Sequence, residues 1–276
     1  MRKIIASALA AVLLALILSG CGENTQSPAY IHRKAVEAAD TVTSAYMDVT
    51  LSFDGIVAQN GVDEAFLIDE TALVEAGYDP LAANAKYQIS VTGLSEQLAW
   101  EYETVMLKNR KDEAVAYVQY AGEQEWESLT PSVDITDPLH LDIIRQIEPK
   151  DAPEDAEEPD DRTVTLYGML SGEDLRQVVV GTLNYNSNFM LSGIQWEEKT
   201  AKVMIVLDPE AYTPVKIDID AASVANDIAE AIMGRLGIRM TLHHFTITFQ
   251  YEDINRLKEV TIPGELVPTE PAEDLF

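Results

Sequence analysis

The chain has 276 residues and carries 47 acids against 19 bases, a formal net charge of −28. That balance excludes a nucleic-acid binder, whose partner's phosphates require a basic face, and it opposes broad docking of a folded domain onto anionic lipid heads. With 47% hydrophobic residues and one cysteine, the fold must rest on a buried core, since neither a disulfide nor a cysteine zinc site can form once that thiol is used.

The chain opens with Arg2 and Lys3, an apolar run from Ile4 to Ile17, and small residues before Cys21. This is the pattern of a secretory signal, and the run is shorter than the roughly 20 apolar residues a spanning helix needs. Leu18-Ser19-Gly20-Cys21 resembles the lipobox of bacterial lipoprotein precursors. The resemblance implies cleavage between Gly20 and Cys21, a diacylglyceryl group on the Cys21 thiol and a further acyl chain of the palmitate type. Each buried methylene contributes about 0.8 kcal/mol, so two or three chains anchor stably where one does not. The expected location is the extracytoplasmic face of the cell membrane, and Gly22 together with the acidic domain favours a Gram-positive envelope. Removal of residues 1–20 takes away Arg2 and Lys3 and no acid, leaving 17 bases against 47 acids, a mature charge of about −30. Residues 21–29 are polar and unpatterned, a flexible tether.

The folded domain is expected over residues 30–267, followed by a C-terminal tail at 268–276. Ile31, Ala35, Ala38, Ala39 and Val42 recur at helical spacing. Met47, Val49, Leu51 and Phe53 then alternate with polar residues, a half-buried strand. Between Gln59 and Asn84 the pattern weakens; Phe66, Leu67, Leu73 and Val74 suggest a short helix that ends at Tyr78-Asp79-Pro80. Strands at Tyr87–Thr92, Leu98–Leu107 and Ala114–Tyr120, with a short one near Trp126, read as sequential hairpins. Asp137-Pro138 has the form of a helix start carrying Leu139, Ile143, Ile144 and Ile147, with Pro149 as its stop. Residues 150–161 are dense in acids with two prolines and no large apolar residue, a solvated loop; the spaced ligands and turn glycine of a calcium loop are lacking.

The second half repeats the plan. Thr163–Tyr167 is a strand, Ser171–Leu183 a helix with Ser171 and Asp174 in capping-box positions, and Gly193–Glu197, Ala201–Leu207 and Val215–Asp220 are strands. Ser223–Leu236 is a helix with Val224, Ile228, Ala231 and Ile232 on one face and Gly237 past its end. In the closing strand Phe245, Ile247 and Phe249 share a face, while Met240 and Leu242 lie on the opposite phase, so a bulge is expected near His243-His244. About ten strands and four helices make an α+β domain, a strongly curved antiparallel sheet covering helices on its concave side.

Two segments carry a resemblance to LolA/LppX-like bacterial lipoproteins. One is the hairpin Asp208-Pro209-Glu210-Ala211-Tyr212-Thr213-Pro214-Val215-Lys216-Ile217. The other is the ending Phe249-Gln250-Tyr251-Glu252-Asp253-Ile254-Asn255 with Glu259 to Glu265, and the opening helix before Tyr46-Met47-Asp48-Val49 is similar too. The resemblance implies a half-barrel around helices and an apolar cavity that holds lipid or acyl chains.

No G-x-S-x-G, P-loop, G-x-G-x-x-G or H-E-x-x-H occurs, so no catalytic residue, cofactor or metal site is assigned and no enzyme is expected. His32 is expected on the exposed side of the first helix, and His243 and His244 could chelate together only across a bulge. The apolar cavity candidates are Trp100, Tyr102 and Met106 on one strand face and Phe245, Ile247 and Phe249 on another, residue types that plain core also uses. The expected function is non-catalytic binding of an apolar or amphipathic ligand such as a lipid. The alternative is an interaction module with a packed interior that presents its acidic surface to an envelope protein.

Overall fold

A computed structural model of the chain describes residues 27–59, 62–79, 81–93, 97–108, 114–129, 141–148, 162–182, 191–233 and 239–266. The expected signal segment with its Gly20–Cys21 cleavage site, the expected acidic loop at 150–161 and the expected tail lie outside these residues. Helix α1 (Pro28–Ala39) begins with Ser27 as N-cap, its hydroxyl accepting from the Tyr30 N–H at 3.2 Å, and with proline in its first turn; both features favour that start. Eleven strands follow, interleaved with two further helices among the described residues. They are β1 (Ser44–Gln59), β2 (Val62–Tyr78), β3 (Leu81–Thr92), β4 (Leu98–Lys108), β5 (Ala114–Tyr120), β6 (Glu127–Leu129), β7 (Arg145–Glu148), β8 (Val164–Ser171), β9 (Thr200–Leu207), β10 (Pro214–Asp220) and β11 (Arg239–Glu252). Helix α2 (Gly172–Thr182) follows β8, and α3 (Ala222–Met233) precedes β11.

All eleven strands form one curved antiparallel sheet in the order β6-β5-β4-β3-β2-β1-β11-β10-β9-β8-β7. The chain therefore winds outward from β1 to one edge, crosses to the other edge, and winds back until β11 pairs with β1. A flat sheet of this order would separate its edges by about 48 Å at the usual strand spacing. That is close to the full extension, about 50–54 Å, of the residues joining β6 to β7. Curling brings the edges nearer and eases the crossing.

The inner face of β8–β11 and β1 is apolar at alternate positions: Leu166 and Leu170, Val203, Ile205 and Leu207, Ile217 and Ile219, Phe245 and Ile247, Leu51 and Phe53. Helices α2 and α3 close over it with Leu175, Val179 and Val180 and with Val224, Ala225, Ile228 and Ala229, all buried. Helix α1 buries Ala35 and Ala39 and packs against β7 and the 3-10 turn Leu141–Ile143. His32 is a correction to the sequence expectation. It is half-buried, its Nε2 lies 2.9 Å from the Leu141 carbonyl, and burial holds its pKa below the ordinary histidine value.

Three further expectations are corrected. Residues 62–78, read as irregular with a short helix, are one long strand, β2. Its Glu, Ala and Leu content suits a helix, but it pairs residue for residue with β1 from Val62 to Gly77 and with β3 from Leu67 onward, and tertiary pairing overrides propensity. The helix expected after Asp137-Pro138 is, from Leu141, a 3-10 turn followed by β7; residues 130–140 lie outside the described set. Gln146 has φ 53°, which no right-handed helix admits. The strand expected at Gly193–Glu197 is a pair of 3-10 turns, Leu191–Gly193 and Trp196–Glu198, which bury Leu191 and Trp196 in place of an alternating face.

The bulge near the histidines is present. Asp54 stands opposite His244 and Gly55 opposite Leu242, so His243 is the extra residue. This insertion resets the phase of β11 so that Leu242 and Phe245 both point inward and are buried. Gly55 makes it possible: a Cβ there would lie 2.2 Å from the Thr241 carbonyl oxygen.

After β11 the segment from Asp253 to Leu266 runs across the outer face. Asn255 accepts from the Thr43 N–H at 2.6 Å, Thr261 donates to Glu75 at 2.8 Å and accepts from Asn84 at 2.7 Å, and Glu265 accepts from Trp126 Nε1 at 3.0 Å. This strap binds β1, β2, β3 and the turn after β5 to one another.

Gly55→Ala is expected to destabilise the domain by about 1–3 kcal/mol through overpacking of the bulge, read as a lower midpoint in urea with an unchanged slope. An unchanged midpoint would mean that the bulge does not depend on this close approach.

Candidate functional site

The inner face of β2–β5 differs from the core under α2 and α3. Cross-strand register sets Ala72, Tyr87, Tyr102 and Tyr120 in one row, Glu70, Ile89 and Trp100 in the next, and Ile68, Val91 and Leu98 in a third. Each row follows from strand alternation, which sends every second residue of β2, β3, β4 and β5 to the same face. Tyr87 and Tyr102 stack with centroids 4.4 Å apart and rings 2° from parallel, and Tyr120 is tilted beside them at 6.1 Å. Such pairs contribute about 0.5–1.5 kcal/mol beyond area burial. Toward the ends of β4 and β5 the apolar surface opens to solvent: Trp100 is 50% exposed, Tyr120 42% and Leu98 38%.

Glu70 sits within this apolar face, 8% exposed, and accepts a 2.8 Å hydrogen bond from the Tyr102 hydroxyl. Burial pushes its carboxyl above the ordinary glutamate value of 4.5, and the hydrogen bond from Tyr102 only partly opposes this. The same burial drives the phenols upward. Tyr87 is pushed up to about 12, with a hydrogen bond from Thr104 opposing and the Glu70 charge adding to it; Tyr102 is raised further by burial and by Glu70. Both tyrosines are therefore neutral at ordinary pH, and Tyr102 donates to Glu70. Tyr87, Tyr102 and Tyr120 also contribute to a cleft of about 280 Å3 where β5 ends, whose lining includes Lys86, Glu101, Glu103 and Glu123.

Of the candidates from sequence, Trp100, Tyr102 and Met106 share the inner face of β4, with Tyr102 and Met106 each 8% exposed. Phe245, Ile247 and Phe249 share the inner face of β11, separated from β4 by β3, β2 and β1. Phe245 and Ile247 are fully buried, Phe245 stacks on Phe53 at 4.5 Å, and both belong to the core beneath α3. The structure thus keeps the two trios on one sheet face without bringing them together. Glu70, Tyr87 and Tyr120 escaped sequence reasoning. Glu70 lay in the segment read as helix, and the tyrosine row depends on a register that single strands do not reveal.

At the bulge, His244 Nδ1 lies 2.6 Å from one Asp54 oxygen and His243 Nδ1 4.0 Å from the other. Among the described residues no group of three or more His, Cys, Asp or Glu side chains is arranged to hold a metal ion. No described helix is long and apolar enough to cross a membrane.

No protein-family model matches the chain, and no curated protein matches it. Among solved structures it is similar to a LolA superfamily protein from Nitrosomonas europaea, with 10% identity, 87% of this chain and 96% of that chain covered, and a TM-score of 0.27. It is similar to a putative outer membrane lipoprotein-sorting protein domain from Vibrio parahaemolyticus, with 9% identity, coverage of 81% and 89%, and a TM-score of 0.25. A DUF1329 family protein from Desulfovibrio piger shows 8% identity, coverage of 81% and 90%, and a TM-score of 0.26.

The raised pKa of Glu70 has a signed consequence. Its contribution to stability is fully present below the unfolded-state value and is lost as pH rises through the folded-state value. Glu70→Gln keeps an acceptor for Tyr102 and removes the titration. Its melting temperature relative to wild type is therefore expected to be higher at about pH 8 than at about pH 4. A difference independent of pH would show that Glu70 titrates as an ordinary exposed glutamate.

Proposed function

We propose that this chain is a lipoprotein anchored through acyl chains on Cys21 to the extracytoplasmic face of a cell membrane, and that its domain binds an apolar or amphipathic ligand without catalysis. The observation that carries the binding reading is the inner aromatic face of β2–β5. The buried Tyr102 and the half-buried Tyr87 stacked on it form its floor, and Trp100, Tyr120 and Leu98 form its half-exposed margin. Large apolar side chains left partly exposed on a sheet face mark a binding surface more often than a scattered surface residue does, and a few placed polar groups such as Glu70 give such a surface its orientation. The core beneath α2 and α3 has a different part in this reading: Phe245 and Ile247 hold the scaffold, and the ligand lies on the other half of the sheet.

Anchor and binding face suit one another. A domain held by its first mature residue stays within reach of membrane lipid, while a mature charge of about −30 keeps its body off anionic head groups. Exchange of a packed aromatic margin for a bound chain would draw on about 25 cal/mol per Å2 of apolar area buried.

Native mass spectrometry of the full chain after mild extraction tests both parts. The expected spectrum shows a chain shortened by residues 1–20 and carrying acyl mass on Cys21. It also shows a further increment that is lost on delipidation and regained with a total lipid extract. Trp100→Ala is expected to reduce the regained fraction. A delipidated chain that gains no mass from any lipid extract would contradict the binding function, and an unmodified Cys21 would contradict the anchor.

A further inference from the structure

We propose that the ligand taken by the inner face of β2–β5 is a cationic amphiphile, with an alkylammonium head held between Glu70 and the aromatic row and its chain laid along Trp100 and Leu98. This deepens, and rests on, the binding function proposed above.

Glu70 carries the argument. Among the described residues the buried polar side chains are Ser44, Glu70, Asn84 and Thr104, and Glu70 is the one that ionises. Ser44 and the Asn84 amide nitrogen donate to the Leu257 and Thr261 carbonyls of the C-terminal strap; Thr104 hydrogen-bonds Tyr87. Glu70 has the neutral Tyr102 hydroxyl and no cation beside it among the described residues. An uncompensated buried carboxyl is costly, and an apolar or amide residue would fill the same space without that penalty. A cation supplied by a ligand would provide the missing charge.

The surroundings select the same sign. Aromatic faces carry negative quadrupole density and attract ammonium groups, indole most strongly. Trp100 at 50% exposure and Tyr120 at 42% present such rings beside the Glu70 row. Over the whole chain, a net charge of −28 raises the local concentration of cations. Burial of Glu70 lifts its pKa in the unliganded chain; a bound ammonium would reverse that shift.

Isothermal titration of the full chain with octyltrimethylammonium, octanol and octanoate separates the contributions. The ammonium compound is expected to bind about tenfold or more tightly than octanol, and octanoate more weakly than octanol. Glu70→Gln retains the acceptor for Tyr102 and is expected to bring the ammonium affinity to within about twofold of octanol. Trp100→Ala, at a half-exposed position, is expected to weaken all three. Equal binding of ammonium and octanol, or a preference that survives Glu70→Gln, would overturn the cationic assignment while the binding function stood. Failure of all three compounds to bind would overturn both.

Discussion

The pairing of β1 with β11 is the constraint on which the rest of the molecule depends. β1 runs from Ser44 to Gln59 and is paired along most of its length on both sides, with β2 next to it in sequence and with β11 nearly two hundred residues away. Every other long-range relation is a consequence: one arm of the chain extends from β1 to β6, the other returns from β7 to β11, and only this ladder joins them into one sheet. Closing so long a loop costs entropy that grows with the logarithm of its length, and the reward is concentrated in the inner pairs Leu51 with Ile247 and Phe53 with Phe245. The bulge at His243 and the absent side chain of Gly55 keep both ends of β11 in phase with that core.

The sheet is thereby divided between two kinds of inner face. From β1 through β11 to β8 the face is aliphatic and phenylalanine-rich and is covered by α2 and α3. From β2 to β5 it is lined by tyrosines, one tryptophan and a buried glutamate, with its margin open to solvent. The strap from Asp253 to Leu266 braces the second region from the outer side through Glu75, Asn84 and Trp126. Rigid support behind and partial exposure in front are what a preformed binding face requires.

Much of this was legible in the amino-acid sequence, and the part that was not has physical causes. Alternation located β1, β4, β5, β9, β10 and β11 to within a few residues and found the second half of β3, and the off-phase Met240 and Leu242 announced the bulge. Helix α3 was marked by Val224 and Ile228 at helical spacing. The failures fall where local preference and tertiary context disagree: Glu70, Ala72 and Glu75 belong to a segment with helix-forming composition that two flanking strands hold extended. β7, whose Gln146 adopts a left-handed conformation, was hidden in the same way among isoleucines at helical spacing. Trp100 and Tyr102 were identified as candidates from one strand alone. Glu70, Tyr87 and Tyr120 were not, because their proximity is a property of register across four strands.

The central claim is that ligand binds on the β2–β5 face while the β8–β11 half acts as scaffold. Hydrogen–deuterium exchange of the full chain, delipidated and then reloaded with lipid extract, tests it most directly. The account predicts slower exchange on loading across Leu81–Thr92, Leu98–Lys108 and Ala114–Tyr120, with Thr200–Leu207 and Pro214–Asp220 unchanged. Protection confined to α3 and β11, with β3–β5 exchanging as before, would contradict it.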